Sequence, residues 1–283
     1  MTKFAIVTDT DSSLPIDLAA KYGIRQVPIG INLDGKTYET GINLDDQLIF
    51  QYLGSAKQYP TTAAPSPAAF AREFETAIQA GAETIVCICV SSKVSTTYNS
   101  AVMAAETFDH DIVVIDSEYL SIGQGFMALS AAESFLSGAT RDEVIQSLGG
   151  MRNRIHTYAV LPSLKFIALS GRLNKYSANI ADILDIKPIL TVQNGKLEVI
   201  NKQRTMKKAM EKMLELLKEA IGGKPIERAA VVHANCPEDG KALMEKLEFF
   251  QPELAPFILA EFTPGLSIHT GPGTVGVAIL TRE

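Results

Sequence analysis

Short apolar runs bounded by polar residues recur through the first half of the chain. Phe4-Ala5-Ile6-Val7, Thr84 to Val90 and Ile112-Val113-Val114-Ile115 have strand length and no polar face, the pattern of strands buried on both sides. Helical signals alternate with them. Ser13 is placed to cap a short helix with Pro15 in its first turn and Gly23 just past its end. Ser66-Pro67 opens a second helix that runs to Gly81, and a third is expected from about Thr97 to Phe108. Val27 to Leu33 extends as far as the tight-turn signal Asp34-Gly35. Thr140-Arg141-Asp142-Glu143 reads as a capping box whose helix closes the first half near His156. Strands alternating with helices predict βαβ units and a mostly parallel sheet.

The second half has a different texture. Thr191-Val192, Asn194-Gly195 and Leu197-Glu198-Val199 read as a hairpin with an Asn-Gly turn. Met206 to Ile221 is amphipathic, with Met206, Met210, Met213, Leu214 and Leu217 on one face and Gly222-Gly223 at its end. Strand-like runs at Ala229–Val232 and Val275–Leu280 bracket a further helix near Pro237–Phe250. The expected fold is therefore α/β with two α/β domains. Residues 1–160 would form an N-terminal domain around a mostly parallel, three-layer sheet, and residues 161–283 a C-terminal domain with a mixed sheet and helices.

Composition narrows the function classes. Of the 283 residues 46% are hydrophobic, and the formal net charge is -6 with no long basic run, which argues against a nucleic-acid groove. Cys87, Cys89 and Cys236 are too few and too unevenly spaced for a disulfide framework, and read as small buried hydrophobes in a reducing compartment. The start runs directly into a strand without a signal-peptide region, and no stretch approaches the ~20 apolar residues of a membrane helix. A cytoplasmic protein without integral membrane association is expected.

Four segments between strands and helices carry the chemistry: Pro60 to Ser66, Ser91 to Tyr98, Ser121-Ile122-Gly123-Gln124-Gly125, and His269-Thr270-Gly271-Pro272-Gly273. Hydroxyls and backbone amides near helix starts donate hydrogen bonds to an anion without carrying charge themselves. Taken singly, each Ser or Thr is explained as a cap, and His269 as a structural histidine. Together, three strand-end loops and a His in a Gly-rich turn make a carboxylate clamp.

The ordered set of motifs resembles the DegV family over nearly the whole chain. Pro60 to Ser66 is similar to the family's Thr-Thr-Ser-x-Pro-Ser loop, and Ser91 to Tyr98 to its Ser-Ser-x-Leu-Ser-Gly-Thr-Tyr loop. The Asp9-containing start resembles the N-terminal Asp-Ser motif, and Ser170-Gly171-Arg172-Leu173 resembles Gly-Gly-Arg-Ile. Lys187-Pro188-Ile189-Leu190 and His269 to Gly273 match directly. Ala63 and Thr96 stand where the family usually has Ser and Gly.

This resemblance implies a non-enzymatic carrier of one long-chain fatty acid, with no other cofactor and no metal, that presents its cargo to a fatty-acid kinase. Carried over by position, the carboxylate ligands would be Thr62, Ser95 and His269, with Thr96, Thr270 and Gly271 beside them. A protonated His269 would supply the compensating charge. Arg172 and Arg204 match basic positions associated with docking the kinase. The alternative is a haloacid-dehalogenase-like, Mg2+-dependent phosphatase using Asp9 and Asp11, because Asp9-x-Asp11-x-Ser13 after a hydrophobic run mimics that first motif. A late acidic pair to complete its metal site is lacking, and a Ser hydrolase lacks its Gly-x-Ser-x-Gly elbow.

Overall fold

The computed structural model describes residues 4–44, 46–55, 59–172, 186–250 and 257–283. From the amino end, β1 (Phe4–Asp9) passes through a 3₁₀ turn (Thr10–Ser12) and α1 (Ile16–Lys21) to β2 (Ile24–Val27). Then come β3 (Gly30–Leu33), β4 (Lys36–Glu39), α2 (Asp46–Ser55), β5 (Thr61–Ala63) and α3 (Pro67–Gln79). The alternation continues with β6 (Thr84–Cys89), α4 (Thr97–Ala105), β7 (Asp111–Asp116), α5 (Ile122–Leu136) and α6 (Arg141–Met151). β8 (Ile155–Val160), α7 (Lys165–Leu169), β9 (Lys187–Gln193), β10 (Lys196–Gln203) and α8 (Met206–Ile221) follow. The chain ends with β11 (Ile226–His233), α9 (Pro237–Phe250), β12 (Ile258–Glu261), α10 (Pro264–Thr270) and β13 (Val275–Thr281).

Two large sheets face each other across one helix. The first has the order β2-β1-β6-β7 and is parallel throughout. The second has the order β10-β9-β8-β13-β11-β12 and is antiparallel except for the β11–β12 pair. Side chains alternate across each strand, as the pleat requires. In β6, Ile85, Cys87 and Cys89 pack against Phe70 and Phe74 of α3, while Val86 and Ile88 turn toward Phe126 and Met127 of α5. In β13, Ala278 and Leu280 face α5, and Val275, Val277 and Ile279 pack with Met213 and Leu217 of α8. The layers are thus helices, parallel sheet, α5, mixed sheet, helices.

Burial between two sheets explains why α5 escaped sequence reading. Its residues Ile122 to Leu129 are all buried, so it has no polar stripe and no helical period. The segment Ser121 to Gly125, read as a strand-end loop, is the first turn of this helix. Two other local readings change. Ser13 does not cap α1 but lies in the left-handed region at φ 48°, and Pro15 takes the N-cap position. Val27 to Leu33 is not one extended run, since β2 and β3 belong to different sheets. The helix begun at the Thr140 capping box ends at Met151, and the following β8 pairs with β13 and β9 of the mixed sheet.

The small antiparallel sheet β4-β3-β5 turns at Asp34-Gly35, both at positive φ, and carries Thr62 opposite Ile31. The β9–β10 hairpin turns in the same way at Asn194-Gly195. Its tip docks on the loop after β6, where the Ser91 hydroxyl donates to the Gly195 carbonyl at 2.8 Å. A side chain at Gly195 would collide with that hydroxyl, so the close approach requires glycine.

Candidate functional site

The carboxyl ends of β1 and β6 are locked together below the site. Asp9 is fully buried; one carboxylate oxygen accepts from the Asp11 amide at 3.0 Å, and the other from the Val90 amide at 2.8 Å and the Gln124 side chain at 3.1 Å. Burial pushes its pKa up to about 6 against these donors. Gln124 also reaches the Thr8 hydroxyl at 2.9 Å, which itself donates to the Ile88 carbonyl. Asp9 is therefore a strap joining β1, β6 and α5. Its two oxygens are occupied by N–H donors, which is not the setting of an exposed nucleophile.

Above this strap lies a pocket with about 760 Å³ of atom-free space, part of it open to solvent. Thr62, Ser95, Arg172, His269, Thr270 and Asp11 contribute its polar lining. Thr62 on β5 is the hub: its hydroxyl oxygen lies 3.1 Å from the Arg172 guanidinium and 3.2 Å from His269 Nε2. Arg172, just beyond α7, is braced by donating to the Ser170 carbonyl at 2.5 Å. If His269 carries its proton on Nε2, Thr62 accepts twice and its own proton is free for a ligand. Ser95 sits at the start of α4, accepting from the Thr97 amide at 3.3 Å and lying 2.8 Å from the Thr97 hydroxyl. It braces the turn ahead of α4 and lines the pocket at once.

His269 occupies the last turn of α10, where burial and the Arg172 charge push its pKa down to about 3. In the ligand-free pocket burial and Arg172 therefore disfavour a proton on His269, and the positive charge there is that of Arg172. Thr270 donates at 3.4 Å to the Leu266 carbonyl of its own helix. The remaining nominated residues fall outside the lining. Thr96 is exposed, at φ −86°, a conformation that any L-residue adopts, so replacing glycine there costs no strain. Gly271 has φ 80°, and a Cβ there would enter the Phe166 ring, so it closes the wall beside α7. Arg204 is exposed just ahead of α8. Leu173 lies outside the described residues.

An apolar space adjoins the polar one. The two share Leu120, Ala159, Leu190, Leu197 and Phe262, and the second continues between Ile122 of α5 and Val232, Val277 and Ala278 of the mixed sheet. A molecule with an anionic head and a long apolar tail matches the chemistry of these two adjoining cavities. Sequence reading could not find the tail end, because its residues are indistinguishable from core positions. Among the described residues no three His, Cys, Asp or Glu side chains gather to hold a metal ion, and no helix is long and apolar enough to cross a membrane. The Cys87 and Cys89 sulfurs lie 3.7 Å apart, unbonded, in the core under α3 and α4.

Comparison with known proteins places this architecture. The sequence profile described as an uncharacterised protein of the DegV family matches residues 3–282. The chain belongs to the DegV family. A DegV domain-containing protein of Listeria monocytogenes is 33% identical over 276 residues, 97% of each chain. Among solved DegV structures, the Thermus thermophilus family protein described for its fatty-acid binding superposes with a TM-score of 0.90 at 31% identity, covering 99% of this chain and 100% of that one. DegV of Bacillus subtilis, described as a fatty acid binding protein, superposes at 0.89 with 30% identity and full coverage of both chains.

Proposed function

We propose that this DegV protein is a carrier that holds one long-chain fatty acid, its carboxylate among Thr62, Ser95, His269 and Arg172 and its acyl chain in the apolar extension. The observation that carries this reading is that the polar pocket and the apolar space adjoin, sharing Leu120, Ala159, Leu190, Leu197 and Phe262 as a common wall; one channel running through both is part of the proposal. The fatty-acid binding described for the Thermus and Bacillus relatives supports it. The energies are of the right size. An acyl chain of ~15 methylenes at ~0.8 kcal/mol each offers roughly 12 kcal/mol before the costs of binding. The head group then needs only enough partners to avoid an unpaired buried charge, and a guanidinium with two hydroxyls supplies them.

Catalysis is not part of this reading. The Asp9 strap occupies the carboxylate that a phosphatase would need as nucleophile. The resemblance extends the proposal to presentation of the bound carboxylate to a fatty-acid kinase, with exposed Arg204 as a docking residue. Arg172, hydrogen-bonded to Thr62, acts first on the head group. The test is to denature the purified protein and analyse extracted lipid by mass spectrometry. About one fatty acid per chain is expected, either co-purified or taken up on incubation with oleate. Complete absence in both preparations would sink the carrier reading.

A further inference from the structure

Asp11 is the pocket group that the clamp leaves unexplained. It follows β1 in the 3₁₀ turn, and its carbonyl accepts from the Ser121 amide at 2.7 Å, which fixes the backbone. The residue is 7% exposed and lines the polar pocket, yet its Oδ1 is buried and accepts no hydrogen bond among the described residues. The space behind it is filled by α10: a Cβ built on Gly265 would stand 2.3 Å from this oxygen. A buried carboxylate oxygen without a donor is costly, whereas a carboxylic acid in the same place is neutral.

The charges around the pocket decide which group gives way. The titratable neighbours are Asp9 on β1, Arg172 beyond α7 and His269 on α10. His269 is neutral, and Asp9 keeps three N–H donors. A ligand carboxylate would thus bring a third acidic group to a single cation. Asp11 has no donor to lose. Burial and the nearby Asp9 already raise its pKa, and Arg172 alone opposes them. Engaging Arg172 with a ligand weakens that opposition.

We propose that Asp11 is a proton-carrying positioning residue of the head-group site, neutral whenever the pocket holds a carboxylate, so that a fatty acid and a proton are held together. This rests on the fatty-acid reading above. Because the ligand raises the proton affinity of Asp11, binding takes up a proton in the range where the empty pocket holds Asp11 ionised. Affinity then falls as pH rises through that range.

The test is titration of delipidated protein with oleate from about pH 6 to about pH 9, comparing wild type with Asp11→Asn. In the wild type the dissociation constant should climb with pH, by up to about tenfold per unit where one proton is linked. Asp11→Asn should remove that slope. Calorimetry of the wild type in two buffers of different ionisation enthalpy reads the same proton directly, and does not depend on the variant folding. A flat wild-type profile with no proton uptake, or an equal slope in Asp11→Asn, overturns the proposal. Failure of the wild type to bind oleate at every pH overturns the fatty-acid reading and this inference with it.

Discussion

At one end of the proposed channel, Thr62, Ser95, Arg172 and His269 arrive from four distant stretches of chain, all four outside the two large sheets. At the other end, Val232 and Ala278 project toward α5 from neighbouring strands of a single sheet in regular register. The polar end depends on single hydrogen bonds, such as those of Thr62 to Arg172 and His269, and each lost partner exposes another group's charge. The apolar end depends on shape, and many side chains share the work. On the proposed reading, head-group recognition is sensitive to chemistry and tail accommodation to volume.

Filling the channel should have the largest effect. Ala159 borders both spaces, so Ala159→Phe would fill the junction where the proposed channel passes from one to the other. Excluding half a dozen methylenes at about 0.8 kcal/mol each removes about 5 kcal/mol of oleate binding, while decanoate is affected less. Competition between the two ligands checks this, and an unchanged preference would move the tail elsewhere. Removing the cation comes next. Arg172→Ala leaves the ligand carboxylate without its charge partner, and should weaken oleate binding by about 3 kcal/mol in an equilibrium titration. Arg172→Lys restores charge without the planar guanidinium and should recover only part of the loss.

The last comparison concerns the empty protein and pH. His269 is held near 3 in the fold, against an ordinary value of 6.5. Between these values the unfolded chain binds the extra proton, so stability falls as pH is lowered through this window. His269→Gln should lose less stability than the wild type between about pH 6.5 and about pH 4, measured by thermal unfolding. Asp9, raised to about 6, has the opposite sign but is common to both proteins, and it cancels in the comparison. Identical acid profiles would show that His269 is not the buried neutral group described.

Local chemistry was the legible part of the sequence. The turns at Asp34-Gly35 and Asn194-Gly195, the Ser66 cap, the Thr140 capping box and the stripe of α8 each depend on neighbours in sequence, and each occurs as read. Tertiary burial defeated the rest. α5 is enclosed by two sheets and shows no period, and Ser13 is drawn into the 3₁₀ turn rather than onto α1. The site was legible as loops but not as contacts. Nothing near Arg172 in sequence shows that it reaches Thr62, 110 positions away, and nothing near Asp11 shows that it meets Gly265.

The most direct test of the channel is a crystal structure of the protein with bound oleate. The carboxylate is expected within about 3.2 Å of the Thr62 and Ser95 hydroxyls and the Arg172 guanidinium, with the tail running past Ala159 toward Ala278. Oleate bound in the reverse sense, with its carboxylate beside Ala278, or bound outside the channel, would contradict it.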